Sequence, residues 1–136
     1  MKNQVLFPLV ILISGALLFS CSKPIEKKLA GMWKVEDVQF NTNLRIDPGT
    51  LEASKESQKA ISYELLEDFT AKVHAGFSVL EGNWIYKEAE SSVYMVFSGT
   101  FDTILLGRYE KGKLINEETR PDITITTIFI KENKKD

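Results

Sequence analysis

Beyond residue 61 this chain is cut, about every ten residues, by a short cluster of turn-forming residues. The clusters fall at 68–70, 88–91, 99–102, 111–112 and 120–122. A parallel pair of strands needs a crossover of a dozen residues or more, so connections this short force neighbouring strands to run antiparallel. The runs between them alternate as strands do. Tyr63, Leu65 and Phe69 share one face of 62–69. Val73, Ala75 and Phe77 share one face of 72–78, against Lys72 and His74. Leu80, Gly82, Trp84 and Tyr86 share one face of 79–87, against Glu81, Asn83 and Lys87. Three further runs follow at 92–98, 102–110 and 113–119, the last with Leu114, and a final one at 122–131. A first strand at 32–40 carries Trp33 and Val35 in one parity and Val38 and Phe40 in the other, which predicts a bulge at Glu36 and Asp37. Eight short, regularly spaced strands predict an all-β fold, an antiparallel up-and-down barrel or a sandwich. Pro121 cannot donate to a ladder and is expected in a turn or at a strand start.

One segment breaks this pattern. Residues 41–47 are turn-rich, Pro48 and Gly49 follow, and 50–61 holds good helix formers with few apolar positions. One short surface helix is expected there, with Thr50 as its N-cap. The whole chain of 136 residues is sized for a single domain. Its net charge of −2 gives no reason to expect a nucleic-acid partner. One cysteine, Cys21, allows neither an internal disulfide nor a cysteine-based metal site.

Cys21 ends an apolar leader. Lys2 supplies a positive start, and 5–19 is apolar but for Ser14, with Pro8 and Gly15 interrupting it. At about fifteen residues it is short of the roughly twenty that span a bilayer, and it fits a secretory signal. Leu18, Phe19 and Ser20 directly before Cys21 resemble a bacterial lipoprotein signal. That resemblance implies a diacylglyceryl group on Cys21 and cleavage before it, which leaves Cys21 as the mature N-terminus. Two or more acyl chains make a stable anchor. Ser22, in place of the aspartate that retains such proteins in the inner membrane, implies the outer membrane. Residues 1–20 are thus expected to be a signal peptide, 21–28 a lipidated tether stiffened by Pro24, and 29–133 the folded domain.

Leu29, Gly31, Trp33, Lys34 and Val35 form an L-x-G-x-W-K-V opening, and Gly82-Asn83-Trp84 repeats the Gly-x-Trp step in mid-chain. With the leader and the tether, this resembles the lipocalin-like domains of small bacterial lipoproteins. The resemblance implies an eight-stranded barrel in which Trp33 is a structural plug, its N–H paired and its ring filling the taper. The Thr-Asp-Tyr step of secreted lipocalins has no clear counterpart here. Arg108 and Arg120 are the candidates for the late arginine that packs on the first tryptophan in that family.

Residue chemistry points away from catalysis. His74 is the single histidine and sits on a polar strand face. Glu117 and Glu118 are neighbours on a strand and so point to opposite sides. Glu88 and Glu90 flank a turn, and Gly107 and Gly112 lack the spacing of a phosphate loop. No enzyme activity, cofactor or metal is expected. Strand parity makes Tyr63, Phe77, Trp84, Tyr86, Met95 and Phe97 the candidate lining of a site for a small hydrophobic or amphipathic molecule. The alternative is a filled barrel that docks a partner in the cell envelope, with Tyr94, Val96, Ile104 and Leu106 as an outer apolar patch, open or covered by the helix.

Overall fold

The computed structural model describes residues 24–99 and 102–133. The expected lipid attachment at Cys21 and the leader lie outside them. Eight strands follow in chain order: β1 (Gly31–Thr42), β2 (Ile61–Leu65), β3 (Thr70–Ala75), β4 (Ser78–Lys87), β5 (Ser92–Phe97), β6 (Thr103–Glu110), β7 (Lys113–Arg120) and β8 (Ile123–Lys131). Each is bonded antiparallel to the next, and β8 returns to β1, so the sheet closes into a barrel. This is the all-β, up-and-down, eight-stranded architecture that the punctuation predicts. A five-residue helix, α1 (Ile25–Leu29), precedes β1, and α2 (Pro48–Lys59) links β1 to β2.

The helix α2 begins two residues earlier than its sequence suggests. Asp47, not Thr50, is its N-cap: the Asp47 carboxylate accepts from the Thr50 N–H at 3.1 Å, and Pro48 takes the first turn, where a missing N–H costs nothing. The helix buries no residue of its own and rests against β1 and β2. The parity switch in β1 is a bulge between Val35 and Asp37. It leaves Glu36 outside, bonded to Lys113 at 2.8 Å, and brings Val38 onto the inner face that Trp33 and Val35 began.

The two ends of the barrel differ. At the end where β1 begins, Leu29, Trp33, Leu65, Trp84, Val93 and Leu114 are fully buried. Each such side chain contributes on the order of 1.5–3 kcal/mol of burial. Both indoles are satisfied: Trp33 N–H donates to the Leu29 carbonyl and Trp84 N–H to the Leu66 carbonyl, each at 2.8 Å. These bonds fasten α1 and the β2–β3 turn across the closed end. Lys131 stands opposite Trp33 in the β1–β8 ladder, and its ammonium donates to the carbonyls of Lys28 and Ala30. Lys131 is thus the basic residue cross-strand from Trp33. Arg108 pairs with Glu110 on the surface, and Arg120 stands with Glu118 at the opposite end.

Two outer features depart from the alternation. β3 stops at Ala75, and Gly76 and Phe77 make a two-residue hairpin turn before Ser78. Gly76 adopts φ +61°, a conformation glycine reaches without strain, and Phe77 is left fully exposed at the tip instead of facing inward. The expected outer patch does not form as a unit. Tyr94 lies under the Lys87 ammonium, 4.5 Å from its ring, and donates its hydroxyl to Glu90. Leu106 is the extra residue of a bulge where β5 pairs with β6, and it is buried. The helix α2 makes its main contacts with β1 and β2.

Candidate ligand cavity

At the other end the barrel is not filled. A cavity of about 430 Å³ opens between α2 and the hairpin tips. It is within the size range of small-molecule sites. Val35, Met95, Leu106 and Phe129, all buried, form its deep part. Tyr63, Val73, Phe97 and Ile125 rise from there, and Ile61, Leu80 and Ile104 reach the rim. Tyr63 stacks edge-on against Phe129 with ring centroids 5.4 Å apart. Burial raises the Tyr63 phenol above its ordinary pKa, so it is a neutral hydroxyl throughout the physiological range.

Three of the six side chains chosen from strand parity, Tyr63, Met95 and Phe97, line this cavity. Trp84, cross-strand from Met95, is sealed at the closed end with its ring against Phe69. Tyr86 packs half-buried against the core one step closer to that end. Phe77 is outside altogether, for the reason given by its turn. Ile104, assigned to the outer surface by sequence, stands on the cavity rim.

One side of the cavity is polar, and its residues carry no sequence signal of an inward face. Along β7, Leu114, Asn116, Glu118 and Arg120 share one parity, opposite Phe129, Thr127, Ile125 and Ile123 of β8. Leu114 closes the core, and the next three line the cavity with Thr127 and Gln58. Glu118 accepts from Arg120 Nε at 2.9 Å, an exposed pair at the mouth. Thr127 reaches Gln58 of α2 at 3.5 Å.

The polar side coincides with a parting of the sheet. β6 and β7 are paired at Glu110–Lys113, Tyr109–Leu114 and Arg108–Ile115, and their ladder continues no further among the described residues. Beyond it, Ile104, Leu105 and Leu106 stand on one bank of a cleft, and Asn116, Glu118 and Arg120 on the other. Asn116 Nδ2 bridges its base, donating to the carbonyls of Leu105 at 2.8 Å and Leu106 at 3.3 Å. A side-chain amide here does the work of the missing ladder N–H groups.

His74 is on the barrel exterior, 2.9 Å from Glu64. Glu117 and Glu118 point apart, as adjacent strand residues must. Among the described residues no cluster of His, Cys, Asp and Glu could hold a metal ion.

No protein-family model matches this sequence, and no curated protein does. A solved structure does: a DUF4847 family protein from Bacteroides vulgatus is similar with a TM-score of 0.50 at 15% identity, over 83% of this chain and 100% of that one. The likeness is one of barrel fold.

Proposed function

We propose that this chain is a lipid-anchored envelope protein, of the lipocalin-like kind, whose open barrel end holds a small hydrophobic or amphipathic molecule. One observation carries the reading: half of the barrel is packed solid, and the other half encloses about 430 Å³ behind mostly apolar side chains. A barrel meant only as a scaffold gains stability by filling that volume. The reading has no catalytic step, and His74 lies outside the cavity.

The anchor fits the same polarity. Pro24 leads directly into α1 at the closed end. Two residues, Ser22 and Lys23, separate Cys21 from Pro24, a reach of at most about 11 Å. Acylated at Cys21, the protein rests closed end to the membrane with its mouth turned to the aqueous side. The residue after the cysteine, Ser22, fits the outer membrane.

The test is a titration of residues 24–136, which hold every element of the barrel, with the neutral lipophilic dye N-phenyl-1-naphthylamine. Saturable enhancement is expected, and it should vanish when Val73→Trp or Ile125→Trp fills the cavity of a protein that still melts cooperatively. Enhancement that never saturates, or that survives both substitutions, removes the ligand-holding reading. Labelling cells with a fatty-acid analogue tests the anchor separately: the wild-type band takes label and Cys21→Ala does not.

A second reading, partner docking, is favoured by the hairpin tip, where Phe77, Val79 and Leu80 are all exposed. It predicts that Phe77→Ser abolishes capture of a specific envelope partner and leaves dye binding intact.

A further inference from the structure

We infer that Asn116 is a specificity-determining residue of the cavity, selecting amphiphiles whose polar end donates a hydrogen bond, such as a hydroxyl or an ammonium, over carboxylates of the same chain length. This rests on the ligand-holding reading above and adds the chemistry of the ligand's polar end.

The argument begins with what the amide has left to offer. A carboxamide carries two N–H donors and one carbonyl acceptor. Both donors of Asn116 are spent on Leu105 and Leu106, and those two carbonyls also dictate which way round the amide sits. Asn116 Oδ1 has no partner among the described residues, and no side-chain polar atom among them is both sealed from solvent and unsatisfied. Its oxygen is therefore an acceptor presented to the cavity, on a side chain clamped across the base of the cleft. The next inward residue, Glu118, is a carboxylate and adds a second acceptor.

The donors stand elsewhere. Arg120 is four residues further along β7, about 13 Å up the strand, and it is already paired with Glu118. The Gln58 amide is on α2, where its oxygen faces Thr127. A carboxylate seated on Asn116 Oδ1 meets an acceptor and is desolvated against like partial charge, while the donors of the lining, the Tyr63 hydroxyl and the Gln58 amide among them, lie off that atom. An alcohol or an amine at that depth makes the bond that completes Asn116. The apolar body then lies against Val73, Met95, Phe97 and Ile104 on the opposite side.

The experiment is competition against N-phenyl-1-naphthylamine bound to residues 24–136, using 1-octanol, octylamine and octanoate at pH 8. Octanol and octylamine are expected to displace the dye at concentrations about tenfold lower than octanoate, the worth of one hydrogen bond to a buried acceptor. In Asn116→Leu that preference should fall below about threefold. Because Asn116→Leu also frees two β6 carbonyls, its fold is checked by its melt, and a second variant is independent of that: Glu118→Gln, at the exposed mouth, should weaken octylamine and leave octanol unchanged. Equal displacement by all three compounds, or octanoate as the strongest, overturns the inference while the cavity remains a ligand site. Failure of the dye itself to bind in wild type overturns the ligand-holding reading instead.

Discussion

Replacing Trp33 by Phe isolates the bond that holds the closed end. Trp33 is buried beneath α1, packs edge-on with Tyr109 at 6.5 Å between ring centroids, and donates to the Leu29 carbonyl. Phenylalanine keeps an aromatic ring and most of the burial but has no N–H. Two effects follow. The hydrogen bond is lost, and the Leu29 carbonyl is left without its donor, because Lys131 serves the carbonyls on either side, at Lys28 and Ala30. Stranding a buried acceptor costs about 1–3 kcal/mol. Trp33→Ala adds the cavity left by the ring and should lose about 3–5 kcal/mol. A domain of this size has on the order of 5–15 kcal/mol in all, so the alanine variant is expected to be marginal. The assay is urea unfolding of residues 24–136 for wild type, Trp33→Phe, Leu29→Ala and the double variant. The Leu29 and Trp33 side chains are buried in one core, so their losses should fall short of additive through shared packing, while the bond to the main-chain carbonyl of residue 29 survives Leu29→Ala. A Trp33→Phe loss below about 0.5 kcal/mol would show that the indole N–H does not fasten α1.

Gly82 permits β4 and β5 to approach: a Cβ there would stand 2.3 Å from the Val96 carbonyl oxygen. Gly82→Ala should lower Tm by more than about 10 °C, and a melt unchanged from wild type refutes that close approach. Hydrogen bonds from Thr70 hold the Asp68 carboxyl below the ordinary carboxylate pKa. Its contribution to stability is complete above the unfolded pKa and is lost as pH falls through the lower, folded value; Asp68→Asn should remove that part of the acid dependence, and a carbon-detected titration of Asp68 reads it directly. Asp47→Ala removes the cap of a helix that buries nothing, so about 1 kcal/mol should be lost locally. That loss should appear as faster amide exchange across α2 with the global melt little changed, and a matching loss in the global melt would refute it.

The barrel was legible because its signals are local. Turn clusters and alternation name eight strands, and the parity switch at Glu36 names the bulge. Where local signals mislead, a single backbone feature is the cause. Phe77 continues the parity of Val73 and Ala75, and only the turn at Gly76 takes it outside. Leu106 keeps the parity of Ile104, and Ile104 stands cross-strand from the inward Met95, so both belong to the cavity side and only the register with β5 tells that face from the outer one. The polar side of the cavity was illegible for a different reason. Above Leu114, β7 reads Ile-Asn-Glu-Glu-Thr-Arg, with polar residues on both faces, so alternation offers no way to tell inside from outside. Its orientation is set by register with β8, and the significance of Asn116 by the early end of the β6–β7 ladder. Both are long-range facts that no window of sequence contains.

The pairing of β1 with β8 sets a condition on how the molecule is made. Trp33 meets Lys131 across nearly the full length of the domain, and the ladder between them runs from there to Thr42 and Ile123. Until β8 exists, β1 and β7 are both open edges, free to pair with any other strand. The barrel therefore cannot close while the nine residues of β8 are still being synthesised. Closure must wait for β8, and contacts of such long sequence separation place folding in the slow range, milliseconds to seconds. A chain cut short before Phe129 would not be a slightly weakened barrel but a sheet with two exposed edges, a substrate for aggregation and proteolysis.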